Sequence, residues 1–242
     1  MNTIEDQKAD KLIFKVGGVA TILVLAGVLL DMAVGIITGG DITLLPQTAV
    51  EKYGQISQNW IMGLYTMDFL NEINQLIFIP GYFALYVAHK NTAAKSESML
   101  ALILFLVGST ILVTGNTSLT LIDLSHKYAS ATSESDKMLY AAAGEAMLAK
   151  GSHGSLGVLV GFILPNIAGI IMSLAMIKGK VFGKKISYCG FIGSILMVVY
   201  LLLVTLAPGV DKMATAFALP GGILLMIWMI SFTVGLFRLG NN

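Results

Sequence analysis

Six long, mostly apolar stretches recur along the chain, at residues 14–38, 59–87, 98–121, 155–177, 186–206 and 213–236. As a helix rising about 1.5 Å per residue, each can cross about 30 Å of hydrocarbon. A helix also satisfies its own backbone polar groups, which lipid cannot do. The pattern therefore predicts an all-α integral membrane bundle of about six transmembrane helices, forming one domain over residues 1–242. Composition agrees. Of 242 residues, 56% are hydrophobic and 12% charged, and the mean hydropathy is +0.81, whereas a soluble domain carries about 25% charged residues. The formal net charge of +1 gives no reason to expect a nucleic-acid partner. The single cysteine, Cys189, excludes an intrachain disulfide and a cysteine-clustered metal site. The first apolar stretch exceeds the roughly 7–15 residues of a signal-peptide core and is read as an uncleaved first span.

Within the second stretch lies Tyr65-Thr-Met-Asp-Phe-Leu-Asn-Glu-Ile-Asn-Gln75. On a continuous helix, Asp68, Asn71, Glu72 and Gln75 share one ridge. A charge near the bilayer centre costs roughly 2.5–3.5 kcal/mol on insertion scales, so such residues face other helices or a water-filled cavity. Asp68 falls eight residues after the interfacial Trp60, about 12 Å deep, and Glu72 lies nearer the midplane. Pro80 is expected to kink this span, and Pro165 to bend the fourth.

The connections are short. Val50, Tyr53 and Ile56 recur at helical spacing and suggest a small surface helix. Residues 134–149 suggest a second, interfacial one in the outer loop between spans three and four. Ser133-x-x-Asp136 would start it, and Met138, Leu139, Ala142, Ala146 and Met147 would form its apolar face. Gly157-x-x-x-Gly161 permits close helix approach in span four. With the N-terminus inside, the cytoplasmic side holds Lys8, Lys11, Lys15, Lys90, Lys95, Lys178, Lys180, Lys184, Lys185 and Arg238, and the outer side holds Lys52, Lys127, Lys137, Lys150 and Lys212. That bias satisfies the positive-inside rule and places both termini in the cytoplasm.

Leu124-Ser-His-Lys-Tyr128-Ala-Ser-Ala, then Ala142-Ala-Gly-Glu145-Ala-Met-Leu and a glycine-rich start to the next span, resemble a family of prokaryotic multi-pass membrane proteins catalogued as a domain of unknown function. Similar features continue through Ile227-Trp228 to the closing Leu-Phe-Arg-Leu-Gly. The resemblance implies a six- or seven-helix protein of the prokaryotic cytoplasmic membrane, and it implies no activity, substrate or catalytic residue.

By this topology Asp31, Asp68, Asp123, His126 and His153 belong to the outer half or outer mouth, with Glu72 deepest and no lysine or arginine deep within a span to neutralise them. The leading expectation is a small-solute or ion transporter, linked to a proton or cation through Asp68 and Glu72. Asn71, Gln75, Asp31, Asp123 and the span-three Asn116 would be supporting binding residues. A non-catalytic membrane subunit, whose ridge contacts a membrane-protein partner, ranks second. An intramembrane metal-dependent enzyme ranks last, with His126 and His153 as its only imidazole ligands on that side and no His-x-x-x-His spacing. No phosphate-binding loop, dinucleotide fingerprint or Gly-x-Ser-x-Gly elbow is present, so no cofactor is expected.

Overall fold

A computed structural model describes residues 4–37, 48–151, 155–207 and 209–242. The elements are α1 (Ile4–Ile37), α2 (Ala49–Gln58), α3 (Trp60–Tyr65), α4 (Phe69–Ile77), α5 (Ile79–His89), α6 (Lys95–Gly115), α7 (Ser118–Ser130), α8 (Glu134–Gly151), α9 (Leu156–Gly179), α10 (Lys184–Leu206) and α11 (Asp211–Asn241). Among the described residues there is no strand. Among the described residues five helices are long and apolar enough to cross a membrane, and they are carried by α1, α6, α9, α10 and α11.

These helices close into a ring in the order α1, α11, α10, α9, α6, with α4 and α5 filling the gap between α6 and α1. The ring encloses an aromatic core. Tyr82 stacks on Phe105 at 3.9 Å, Phe78 meets Tyr82 edge-on at 5.2 Å, and Trp228 packs on Phe232 at 4.9 Å. The outside is apolar as well. α10 turns Ser187, Gly190, Gly193 and Ser194 inward and leaves Ile192, Ile195, Leu202 and Leu206 exposed. In water a helix would do the reverse. Against lipid, large side chains lose nothing by facing out, and small ones let helices approach closely.

At one end of the ring, α2, α3, α7 and α8 pack into a cap with its own small core of Ala49, Tyr53, Ile56 and Leu121. At the other end Gly240 lies against Lys11 and Lys15, which brings the two ends of the chain together. Asp10 pairs with Lys90 at 2.5 Å there, and Glu97 pairs with Lys178.

The second stretch departs most from expectation. It is not one kinked span but three helices, interrupted between Tyr65 and Phe69 and again at Phe78. Asp68 adopts left-handed backbone angles, φ 58° and ψ 18°, which end the first piece. Pro80 lies two residues beyond the second interruption. It occupies the first turn of α5, where a missing backbone donor is harmless. The third stretch likewise ends early, at the extended Asn116, and resumes as α7. Helix α8 starts as expected, with the Asp136 amide donating to Ser133 Oγ at 3.0 Å. Of its expected apolar face, Met147 packs on the small core of the cap. Met138 and Leu139 are 67% and 62% exposed, and Gly144 is the buried residue, pressed on Tyr53 and Ala49.

Candidate functional site: a broken helix with buried charge

Where the chain breaks at Asp68, backbone groups lose their helical partners, and side chains replace them. The Met67 carbonyl accepts a hydrogen bond from Asn116 Nδ2 at 3.0 Å, and Asn116 Oδ1 accepts from the Ser118 amide at 2.8 Å. One asparagine thus ties the α3–α4 break to the α6–α7 break. Asn71 Nδ2 donates to Asp68 Oδ1 at 3.3 Å. Tyr65 Oη donates to the backbone carbonyl of Asp31 at 3.0 Å, bringing α1 to the same place.

The ridge is therefore split. Asp68 stands at the break rather than on a continuous helix, while Asn71, Glu72 and Gln75 belong to α4. Gln75 Nε2 donates to Ser109 Oγ and to the Gly161 carbonyl, both at 3.2 Å. Glu72 is only 8% exposed, and its Oε2 has no hydrogen-bond partner. Asn74, which sequence reasoning passed over, is also buried, and it fills the space that a side chain on Gly27 would need. Ile73 and Leu76 face outward, so α4 turns its polar side into the bundle.

Lys52 is the larger correction. The sequence places it in an outer loop as a topology charge, yet it is 3% exposed, because α2 lays it over the α3–α4 break. Its ammonium donates to Gln55 Oε1 at 2.9 Å and to Thr66 Oγ1. Thr66 Oγ1 in turn donates to the Met62 carbonyl at 3.0 Å. Burial pulls the Lys52 pKa down to about 8, although the nearby Asp68 carboxylate opposes that change. Asp68 also acts electrostatically on Asp31 and on Tyr65. Asp68 is thus the carboxylate that acts on both Asp31 and the buried ammonium, while Glu72 lies one turn along α4.

Two expected members are elsewhere. Asp123 is on the surface, 60% exposed at its side chain, and pairs with Lys127 one turn on at 2.6 Å. His126 is exposed on the same helix, and His153 lies outside the described residues. Among the described residues, no group of three or more His, Cys, Asp or Glu side chains is placed to hold a metal ion.

Segments 124–131 and 142–148 both pack against α2 around Tyr53. Tyr128 packs on its ring at 5.3 Å, and Ser125 Oγ donates to its carbonyl at 3.4 Å. Glu145 Oε1 accepts from the Ala49 amide at 2.7 Å, which places a carboxylate at the N-terminus of α2. These residues fasten α2 down and thereby hold Lys52 in place. Comparison with protein-family models finds no match, and neither do comparisons with curated proteins and with solved structures.

Proposed function

We propose that this chain is a multi-pass protein of the prokaryotic cytoplasmic membrane that moves a small solute or ion, linked to a proton or cation at its cap end. In this reading α3, α4 and α5 together make a sixth crossing, and both termini are cytoplasmic. The observation that carries it is Glu72, a buried carboxyl with an unpartnered oxygen, one turn beyond the break at Asp68. Non-helical backbone at membrane depth is tolerated where protein or a cavity surrounds it, and transporters place substrate and ion sites at such breaks. A buried carboxylate that lacks a full counter-charge either keeps a proton or takes a cation. Asp68 acts on both Asp31 and the Lys52 ammonium, so two carboxylates meet one lysine there, and the buried Glu72 adds a third acid one turn along α4.

The test is thermal stability of the purified protein between pH 5 and 9, with and without Na⁺ and K⁺, for wild type, Glu72→Gln and Asp68→Asn. A ligand that binds only the folded state raises stability by mass action. Ion- or pH-dependent stabilisation in wild type that both variants lose supports the reading. Variants that match wild type in every buffer, or that lose stability equally in all of them, overturn it.

A further inference from the structure

We propose that residues 180–183, the turn between α9 and α10, form a strap over the end of the bundle where the two chain ends meet, and that His89 is its proton-sensitive catch. The strap seats on the neutral imidazole and lifts when the ring takes a proton. The device uses none of the residues of the acidic site.

His89 ends α5, two residues past the second apolar stretch, and is fully buried. Its Nδ1 lies 2.7 Å from the Leu85 carbonyl. A carbonyl only accepts, so this contact holds the ring proton on Nδ1 and leaves Nε2 as a bare lone pair. Nε2 is buried and has no hydrogen-bond partner. The wall on that side is the end of α9 and the strap. A Cβ on Gly179 would stand 2.5 Å from His89 Cδ2 and 3.2 Å from Nε2, so the absence of a side chain lets the helix end close over the ring. Phe182 then reaches back from the strap. Its ring centre lies 5.7 Å from that of His89, and a Cβ on Gly235 of α11 would stand 2.7 Å from Phe182 Cε1. Buried in that position, Phe182 pins the strap to both α5 and α11.

A second proton has no place there. It would turn Nε2 into a donor facing no acceptor and put a charge in an apolar seat. Burial accordingly lowers the proton affinity of the ring, against the opposing pull of the Leu85 carbonyl. The charges on the surrounding elements offer no relief. Lys90, next in the chain, is paired with Asp10 of α1, and Glu97 of α6 is paired with Lys178 of α9. Lys95 on α6, Lys180 on the strap, Lys184 and Lys185 on α10, Lys11 and Lys15 on α1 and Arg238 on α11 are cations, and Glu5 and Asp6 lie at the exposed start of α1. An imidazolium is therefore relieved by water alone. The least disruptive way to admit water is to lift the strap, whose four residues lie outside any helix, rather than to part α5 from the ring of long helices. Lifting also withdraws Phe182 from α11.

Amide hydrogen exchange of the full chain in lipid nanodiscs reads the strap directly, as protection relative to the intrinsic rate at each pH. The reporters are the Lys180 amide, bonded to the Met176 carbonyl at 3.1 Å, and the Ser187 amide, bonded to the Gly183 carbonyl at 3.2 Å. A ring that takes its proton only when the strap is lifted, with the ordinary pKa of about 6.5, makes both amides lose about tenfold in protection between pH 7.5 and 5.5. Amides in α6 should not change. His89→Asn keeps a donor for the Leu85 carbonyl and cannot ionise, and His89→Phe keeps a ring of similar size. Each should hold protection constant over that range. A second measurement uses wild type alone. The His89 ring, followed by NMR, should be the Nδ1–H tautomer at pH 7.5 and should become charged in step with the opening of the two amides. Constant protection in wild type, or a loss that persists in both variants, overturns the catch. An equal loss in α6 overturns it too, since that is acid unfolding of the bundle, as does a His89 ring that becomes charged while the strap stays protected. The acidic-site reading, which depends on Glu72 and Asp68, is untouched by any of these results.

Discussion

Gln75 donates its side-chain amide to the Gly161 carbonyl at 3.2 Å, and Pro165 is the reason that carbonyl is free. In an uninterrupted helix the amide of residue 165 would bond the carbonyl four residues earlier, but proline has no N–H to give. A side chain from α4 supplies the missing donor to α9. Gly108 makes room beside it, since a Cβ there would stand 2.9 Å from Pro165 Cγ. A polar residue that looked like part of an ion site thus has a demonstrable packing role.

The pair predicts coupling. Gln75→Leu leaves a buried carbonyl unsatisfied and should cost about 1–3 kcal/mol of stability. Pro165→Ala restores a backbone donor to the same carbonyl, so Gln75→Leu should cost measurably less in that background. A double-mutant cycle in detergent, read by chemical denaturation, should give a coupling energy of about 1 kcal/mol, and additive effects would contradict the assignment.

Asp68 makes a prediction in which stability and function part company. A left-handed conformation costs a residue with a side chain roughly 1–2 kcal/mol, and aspartate tolerates it better than alanine does. Asp68→Gly should therefore be more stable than Asp68→Ala by about 1 kcal/mol, while both lose the support that the Asp68 carboxylate gives the buried Lys52 ammonium. Both should lose any cation-dependent stabilisation. Retention of that effect in Asp68→Gly would show that the residue is there for its backbone alone.

Lys52 sets a pH dependence whose sign is fixed by burial. Its pKa falls from 10.5 to about 8 on folding. Below about 8 both states hold the proton, and the cost of burying the charge is fully present. Between about 8 and 10.5 the unfolded chain binds more protons, so stability rises with pH. Relative to Lys52→Met, wild type should gain up to about 3 kcal/mol across that window, because a tenfold change in proton affinity is worth about 1.4 kcal/mol. Thermal melts from pH 7.5 to 10.5 on both proteins test this, and parallel curves would refute it.

The two glycines of the Gly157-x-x-x-Gly161 pair should respond differently to alanine. A Cβ on Gly157 meets Gly115 Cα at 3.5 Å, an ordinary contact. On Gly161 it would meet Leu112 Cα at 2.8 Å and the Leu112 amide at 3.0 Å, where backbone would have to move. Gly161→Ala should cost about 1–3 kcal/mol through overpacking, with Gly157→Ala near neutral. Equal losses would mean that α6 and α9 do not approach as closely as described.

Features that depend on neighbours in the chain were legible in the sequence. The apolar stretches at 98–121, 155–177, 186–206 and 213–236 contain or border α6, α9, α10 and α11, because length and hydropathy are local properties that lipid reads directly. Ser133 starts α8 for the same kind of reason, since a cap needs only a side chain within three residues. Tertiary structure alone decided the site. Lys52 enters it because Tyr53, Tyr128 and Glu145 hold α2 across the break. Asp123 stays out because α7 turns it to the surface beside Lys127. The break at Asp68 survives because Asn116, 49 residues from Met67 in the chain, accommodates the Met67 carbonyl. Most of these outcomes are bonds between residues far apart in the chain. A helical period cannot encode such a bond, because it fixes which residues share a face but not what that face will meet.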